Sequence, residues 1–391
     1  MNLAERIVNI PPSATLAINA KAQELRSKGK KIISLAVGEP DFTPPKEVKE
    51  AMLQAVEQGY FRYLPVPGTL ELRQAGARYF QHFYGVEAKA TEIMFSNGGK
   101  QCLYNLFQVL LNPGDEVLLP APYWVSYPPM IQLSGGIARV VPTRVEDNFK
   151  LKIEELEKQV SPRSKMLILN SPSNPTGITY TQEELEELAS WAISKGLIVI
   201  SDEVYDQLVY APFKPASLAS FWQEHKESVA IVNALSKSFA IPGLRIGFVL
   251  GAEKLIQAMT KLQGQSCSNI CSIAQAGALA ALQGDFSFLE RERQSLQERR
   301  DLAWNFLTEL GLKCPRPEGA FYLFPQVKDF FKGEIKNSTD LCAYLLEEAE
   351  VALVPGIAFG DDSCLRISYA VQQEVLREAL NRIKQALTKL T

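Results

Sequence analysis

The sequence is poor in the residues that build metal and disulfide sites. It contains only two histidines, His82 and His225, which lie far apart, and its six cysteines show no Cys-x-x-Cys spacing. We therefore expect no metal site and no redox motif, and we expect the cysteines to be reduced thiols in a cytoplasmic protein. Long apolar runs are also missing, so neither a signal peptide nor a membrane span is expected.

The chain also lacks a strong charge of either sign. Its 41 lysines and arginines nearly balance 44 aspartates and glutamates, so the formal net charge is only −3. This balance offers no electrostatic attraction to nucleic acid or to an anionic membrane, and we expect neither as a partner. The 391 residues, of which 46% are hydrophobic, suffice for two domains with a substantial core.

Short apolar runs alternate with amphipathic stretches, a pattern that predicts an α/β fold. The runs that predict strands are 32–38, 92–96, 116–120, 165–170, 197–203, 229–235 and 246–251. Their continuous, often β-branched apolar composition is typical of a mostly parallel sheet covered on both faces. Helices are predicted between them over 100–111 and 181–195, and the second opens with a capping box from Thr181 to Glu184.

The pattern changes after residue 284. A long charged helix is predicted over about 286–310, followed by short strands mixed with helices up to the C-terminus. This mixture is typical of a smaller α+β domain. The sequence therefore predicts a large domain over 46–284 and a small domain built from 285–391 together with an N-terminal arm, residues 1–45.

Four polar segments lie at or just past the ends of predicted strands, where α/β sheets gather their active sites. They are residues 96–100, 171–177, 201–205 and 236–237. Gly98 and Gly99 open a helix, whose free N–H groups attract an anion, and Arg245 follows Lys237 by eight residues. Gln101 follows Gly99-Lys100, so a P-loop is excluded, and no Gly-x-Gly-x-x-Gly follows a strand. The combination predicts a site for a phosphorylated ligand.

Each segment has an ordinary explanation when it is taken alone. Residues 174–177 form a good turn sequence, Asp202 could cap a loop, and Lys237 could be one more solvated lysine. Arg366 is harder to explain in this way, because it lies inside the apolar run 365–370 and a buried guanidinium needs an anionic partner. It therefore indicates a site that binds an anion.

Nine motifs, in chain order, resemble those of the class I/II aminotransferases of fold type I, which depend on pyridoxal 5′-phosphate (PLP). The motifs are SLAVGEPDFTPP (34–45), ELRQA (71–75), NGGKQCLYNLF (97–107), NPGDEVLLPAPYWVSYP (112–128), NSPSNPTG (170–177), ISDEVYDQLVY (200–210), LSKSFAIPGLRIGF (235–248), EGAFYLF (318–324) and VPGIAFGDDSCLRISYA (354–370). The sequence is most similar to the subgroup of aspartate and prephenate aminotransferases. This resemblance implies that the N-terminal arm packs on the small domain.

The resemblance also assigns the catalytic residues. Lys237 would carry PLP as a Schiff base and, once freed, move a proton at the substrate Cα. Asp202 would pair with the pyridine nitrogen, and Tyr205 and Asn174 would bind the phenolic oxygen. Trp124 would stack on the ring, although on pattern alone an aromatic residue in a helix that faces the core is a serious alternative.

Further residues would hold the phosphate and the substrate. Those implied at the phosphate are Gly99, Lys100, Ser236 and Arg245, together with Tyr63 from a neighbouring subunit, which implies a homodimer with shared active sites. Arg366 would clamp the substrate α-carboxylate, with help from Asn174 and the backbone at Gly38. No motif fixes the side-chain carboxylate of a substrate. Lys100, Ser13 and Thr15 are candidates, and Gln108 is a weaker one.

The resemblance implies amino-group transfer between an amino acid and a 2-oxo acid by a ping-pong mechanism. Aspartate and glutamate are the expected donors. Prephenate is an alternative acceptor, whose product arogenate belongs to aromatic amino acid biosynthesis. The same residues would also serve another PLP reaction, such as β-elimination by a β-lyase. A PLP-binding regulator of DNA is disfavoured, because the short N-terminal arm leaves no room for a helix-turn-helix domain.

Overall fold

A seven-stranded sheet forms the centre of the computed structural model, which describes residues 1–390. The strands in chain order are β1 (Ile33–Ser34), β2 (Ile93–Asn97), β3 (Glu116–Ala121), β4 (Ile137–Pro142), β5 (Ser164–Asn170), β6 (Ile198–Asp202), β7 (Val229–Ala234), β8 (Ile246–Leu250), β9 (Tyr322–Leu323), β10 (Val351–Ala352), β11 (Val354–Pro355) and β12 (Leu365–Ser368). The central sheet has the order β2-β8-β7-β6-β5-β3-β4. Only β8 runs antiparallel to its neighbours, so the predicted α/β fold with a mostly parallel sheet is confirmed.

Helices cover both faces of this sheet and form most of the remaining structure. They are α1 (Glu5–Val8), α2 (Ala14–Ser27), α3 (Lys46–Glu57), α4 (Leu70–Tyr84), α5 (Gly99–Leu110), α6 (Tyr127–Leu133), α7 (Ile153–Gln159), α8 (Gln182–Ser194), α9 (Ala219–Trp222), α10 (Leu235–Ser238), α11 (Glu253–Ser266), α12 (Ser272–Gln283), α13 (Phe288–Glu309), α14 (Ser338–Glu348) and α15 (Gln373–Thr388). The capping box predicted for α8 is present. The Thr181 hydroxyl accepts from the Glu184 N–H, and the Glu184 carboxylate accepts from the Thr181 N–H at 2.8 Å.

One of the strands predicted from the sequence is much shorter in the structure, and one observed strand was not predicted. The run 32–38 forms a strand only at Ile33–Ser34, which pairs with β10 outside the central sheet. The following residues, 35–38, form a connecting segment. Its backbone contacts both Lys237, which follows a strand of the central sheet, and Arg366 on β12. Strand β4 was missed because it lies at the sheet edge, where Ile137 and Val140 are 43% and 41% exposed and no continuous apolar run is needed.

The C-terminal residues build a second packing unit. Strands β11, β12 and β9 form an antiparallel sheet against which α13, α14 and α15 pack, with a core that includes Leu345, Ile367 and Leu376. Helix α2 and strand β1 of the N-terminal arm contact β10 and β11. This arrangement agrees with the mixture of short strands and helices that the sequence predicts after residue 284. The domain limits at 45/46 and 284/285 stay a prediction.

The sheet topology brings the ends of several strands together. Asn170, Asp202 and Ala234 are the last residues of the parallel strands β5, β6 and β7, and Asn170 pairs with Asp202 in register. Helix α5 begins two residues after β2, at the same edge. The loops and short helices that carry the predicted site residues therefore open into one cleft. Among the described residues, no helix is long and apolar enough to cross a membrane.

Neighbouring positions on α15 test the packing of the C-terminal unit. Leu376 is fully buried, whereas Val375 is 38% exposed on the same helix. We expect Leu376→Ala to lower the free energy of unfolding by about 3 kcal/mol, because it removes buried methyl groups and leaves a cavity. Val375→Ala, the matched control, should change it by less than about 0.5 kcal/mol. Urea unfolding followed by circular dichroism measures both, and equal losses would contradict the packing described.

Candidate active site

Eleven of the twelve predicted site residues line one cavity of about 520 Å³ at the carboxyl edge of the sheet. They are Gly38, Gly99, Lys100, Trp124, Asn174, Asp202, Tyr205, Ser236, Lys237, Arg245 and Arg366. Residues of α2 and its N-cap, among them Ser13 and Thr15, close one side of the cavity. Gln108 is directed elsewhere, because its amide donates to the Leu133 carbonyl and the Ser134 hydroxyl.

The Lys237 amine lies inside this cavity on the short helix α10, directly after β7. Its Nζ donates to the carbonyl of Gly38 at 2.6 Å. Burial lowers the pKa of Lys237 to about 8, and the Glu39 carboxylate opposes this shift. A substantial fraction of the amine is therefore neutral near pH 8, which a nucleophile or a general base requires.

Asp202 ends β6 and is 3% exposed. Its Oδ2 accepts a hydrogen bond from the Tyr127 hydroxyl at 2.5 Å. Burial raises the pKa of Asp202 to about 6, while the bond from Tyr127 lowers it. The carboxylate is thus available as an anion at neutral pH, at the bottom of a cavity whose other charged side chains are mostly cationic.

The Tyr205 hydroxyl lies 2.9 Å from that of Tyr322, a residue that the sequence analysis did not select. Tyr322 is 1% exposed and also lines the cavity. Its hydroxyl packs so closely on Gly38 that a Cβ placed there would lie 2.6 Å away. One sequence signal marks Tyr322, a hydroxyl within the apolar run 320–324, but the alternation of residues along a strand does not show what that hydroxyl contacts.

Arg366 is a buried cation without an anionic partner. It is 3% exposed on β12, and its guanidinium donates to Asn174 Oδ1 at 3.0 Å and to the Ala36 carbonyl at 2.6 Å. Its Nε has no hydrogen-bond partner, and no carboxylate of residues 1–390 forms a salt bridge with it. The Tyr322 ring lies 4.5 Å from its Cζ. Because burying an unpaired charge is costly, this arrangement is suited to an anionic ligand.

A second anion site lies at the start of α5. Gly98, at φ 86°, precedes the helix without a side-chain cap, so the first N–H groups are free. The guanidinium of Arg245 lies against this turn, and its Nη2 would be only 2.4 Å from a Cβ at Gly98. A Cβ at Gly247 would meet the backbone of Gly98 and Gly99 at 2.4 Å. Glycine at both positions therefore permits the close approach that forms this cradle.

Trp124 lies in the turn before α6, outside any helix, where it lines the cavity and also packs against the core. Its ring centre is 5.1 Å from Lys100 Nζ, a cation–π distance. Burial, followed by repulsion from Arg245, lowers the pKa of Lys100. The Lys100 ammonium thus lies near both the Trp124 ring and Arg245, in the cavity that Ser13 and Thr15 also line.

Tyr63 is the one predicted residue that the single chain leaves outside the cavity. It is 89% exposed, in the connection between α3 and α4. Exposed apolar side chains surround this region, namely Leu53, Val56, Tyr60, Phe61 and Leu70. A contribution of Tyr63 to a neighbouring subunit stays a prediction.

Known proteins resemble the chain over its whole length. The family model for aminotransferase class I and II matches residues 30–383. The aspartate aminotransferase of Bacillus subtilis is 41% identical over 391 residues, with 100% of each chain covered. A probable aspartate/prephenate aminotransferase of Aquifex aeolicus is 42% identical, with 99% of each covered.

The solved structure of the aspartate aminotransferase from Thermus thermophilus with maleate superimposes on the chain with a TM-score of 0.94. It is 40% identical, and the match covers 99% of this chain and 100% of that one. Fold, sequence motifs and the cavity therefore lead to the same conclusion: the chain belongs to the class I and II aminotransferase family and is an aminotransferase.

Proposed function

We propose that this aminotransferase uses PLP, held at Lys237, to move an amino group between aspartate or glutamate and a 2-oxo acid. The observation that carries the proposal is the buried Arg366, a cation without a carboxylate partner, in the same cavity as the Lys237 amine. A ligand with a carboxylate next to a reactive carbon would satisfy the first group and present that carbon to the second.

The chemistry of the cavity fits PLP. The cradle at Gly98 and Arg245 offers free N–H groups and a guanidinium to a phosphate, and Ser236 lies in the same cavity. Asp202 offers a carboxylate to a ring nitrogen, and Lys237 offers an amine to an aldehyde. Bound there, PLP would supply an electron-withdrawing ring that makes the substrate Cα–H bond acidic enough to break.

The residues of the chain supply binding and proton transfer. Arg366 and Asn174 hold the α-carboxylate of the substrate, and this fixes the orientation of the Cα–H bond. The Lys237 amine, with its pKa lowered to about 8, takes the proton from Cα and returns one during the reverse transfer. Tyr205, paired with Tyr322, and Asn174 are the hydrogen-bonding residues proposed for the phenolic oxygen.

Other residues that line the cavity favour a second carboxylate. Lys100 contributes an ammonium to the cavity, and α2, a helix of 14 residues, begins at the cavity with Ser13 as N-cap and Thr15 in its first turn. A cation and a helix N-terminus both attract anions. Dicarboxylic substrates therefore fit best, in agreement with the names of the relatives. Prephenate, which also has two carboxylates, is the second candidate acceptor because the Aquifex aeolicus relative is named for both substrates.

We further propose a homodimer in the cytoplasm. The exposed apolar surface around Tyr63 supports an interface between two copies, with Tyr63 reaching the phosphate of the neighbouring site. The six cysteines, all unpaired, are compatible with a reducing compartment. Analytical ultracentrifugation tests the first part, and a monomer at micromolar concentration would contradict it.

Lys237→Ala tests the central assignment. Without the amine, PLP has no attachment point and Cα has no base, so we expect the visible absorbance of attached PLP to vanish and turnover to fall by at least about 10²–10⁴-fold. Lys254→Ala, which removes an exposed lysine on α11, is the control and should leave both unchanged. Normal transamination by Lys237→Ala would refute the role of Lys237.

A pair of variants separates the two carboxylate sites. Lys100→Met should lower kcat/KM for aspartate by about 10–100-fold and leave alanine nearly unaffected, because a charged hydrogen bond is worth about 1.5–3 kcal/mol. Arg366→Lys should lower kcat/KM for both amino acids, since both carry an α-carboxylate. Steady-state kinetics with each donor gives the comparison. An equal loss for both donors in Lys100→Met would instead assign Lys100 to the phosphate.

A further inference from the structure

A short hydrogen bond in the cavity comes from Tyr127, which the site prediction did not include. Tyr127 is the first residue of α6 and is 1% exposed. Its hydroxyl donates to Asp202 Oδ2 at 2.5 Å. Its ring also meets Trp124 edge to face, with the ring centres 5.3 Å apart and an angle of 84° between the planes. Tyr127 thus contacts both the carboxylate and the aromatic side chain proposed to hold the cofactor ring.

Asp202 has little other support from the protein. The backbone N–H of Val204 lies 3.4 Å from its Oδ1, which is long for a hydrogen bond. No salt bridge joins Asp202 to a cation within residues 1–390, although the Lys237 ammonium also lowers the pKa of Asp202, less than Tyr127 does. A buried carboxylate without donors tends to take up a proton and become neutral. The hydroxyl of Tyr127 therefore stabilises the anion more than any other side chain, while Oδ1 is left nearly free.

We propose that Tyr127 is a positioning residue that holds Asp202 as an anion and leaves its Oδ1 for the ring nitrogen of the cofactor. The inference rests on the proposed use of PLP. A neutral Asp202 could not keep the ring nitrogen protonated by charge pairing, and the ring would then withdraw electrons less strongly. Tyr127 would act through Asp202 without taking part in the proton transfer at Cα.

The charges around Asp202 support this role. Burial raises its pKa to about 6, and the Tyr127 hydrogen bond is the largest of the effects that oppose this shift. Tyr127 itself stays a neutral donor, because burial and the nearby anion raise its own pKa well above the usual value. Removal of the hydroxyl should therefore move the pKa of Asp202 further upward, so that the anion is lost at a higher pH.

The other titrating groups near Asp202 do not obscure this effect. Burial raises the pKa of Cys102 to about 12 and that of Tyr205 well above its usual value, so both stay neutral below pH 8. Lys237 titrates near 8 and Glu203, raised by burial, near 7. Glu203 is bonded to Ser201 and Ser217. Since neither group changes in the variants below, the comparison between variants cancels their contributions.

The test is the pH dependence of PLP affinity, measured with apo-protein by fluorescence titration between pH 5 and 9. In the unchanged protein the affinity should weaken below about pH 6, where Asp202 becomes protonated. In Tyr127→Phe the midpoint should move up by about one unit, so that affinity at pH 6.5 falls several-fold and recovers at high pH. The control is Tyr123→Phe, which removes a neighbouring hydroxyl that makes no bond to Asp202.

A second measurement separates charge from packing. With ¹⁵N in its ring, bound PLP reports by NMR whether the nitrogen is protonated, and Tyr127→Phe should shift this signal toward the unprotonated form near neutral pH. In the background of Asp202→Asn, Tyr127→Phe should leave both the signal and the pH profile unchanged, because the anion is already absent.

Several results would overturn the inference. One is a loss of PLP affinity in Tyr127→Phe that is the same at every pH, with an unchanged pH midpoint and nitrogen signal. That result would show that Tyr127 acts only by packing against Trp124. Another is an equal midpoint shift in Tyr123→Phe. If the unchanged apo-protein does not bind PLP at all, the proposed function fails and the inference fails with it. If PLP binds normally and only the Tyr127 effect is missing, the inference alone is wrong.

Discussion

A buried arginine with no anion of its own is the constraint around which this cleft is built. Arg366 lies in the small antiparallel sheet, yet its hydrogen bonds go to Asn174, which follows a strand of the central sheet, and to Ala36 in the connecting segment 35–38. Neutral acceptors orient the guanidinium but do not neutralise it. The unpaired charge makes the cavity suited to an anion, and the substrate carboxylate proposed for it would complete the site electrostatically.

The connecting segment links the two halves of the molecule through its backbone. Its carbonyl at Ala36 accepts from Arg366, and its carbonyl at Gly38 accepts from Lys237. Gly38 must lack a side chain because Tyr322 fills the adjacent space. Residues 35–38 therefore do not continue as a strand. Their peptide groups bind two cations of the site, and this explains why an apolar run that predicts a strand forms only two strand residues.

The sequence predicts the site residues well where chemistry follows a strand end. Asp202 and Lys237 come directly after buried apolar runs, and parallel strands necessarily bring such positions to one edge. Tyr127 and Tyr322 escaped prediction because their roles depend on partners 75 and 117 residues away in the chain, which no local pattern encodes. Tyr63 could be selected only through resemblance, since within one chain it is simply exposed.

Burial is the main reason why the pKa values in the cavity suit the proposed proton transfer near neutral pH. It disfavours the charged form of every group, so it raises the pKa of Asp202 to about 6 and lowers that of Lys237 to about 8. Between these two values the carboxylate is mostly ionised, while a growing fraction of the amine is neutral. A more exposed lysine would stay protonated, and a more deeply desolvated aspartate without Tyr127 would lose its charge. The pH range in which Asp202 is ionised and Lys237 partly neutral therefore follows from the depth of the cleft together with one hydroxyl.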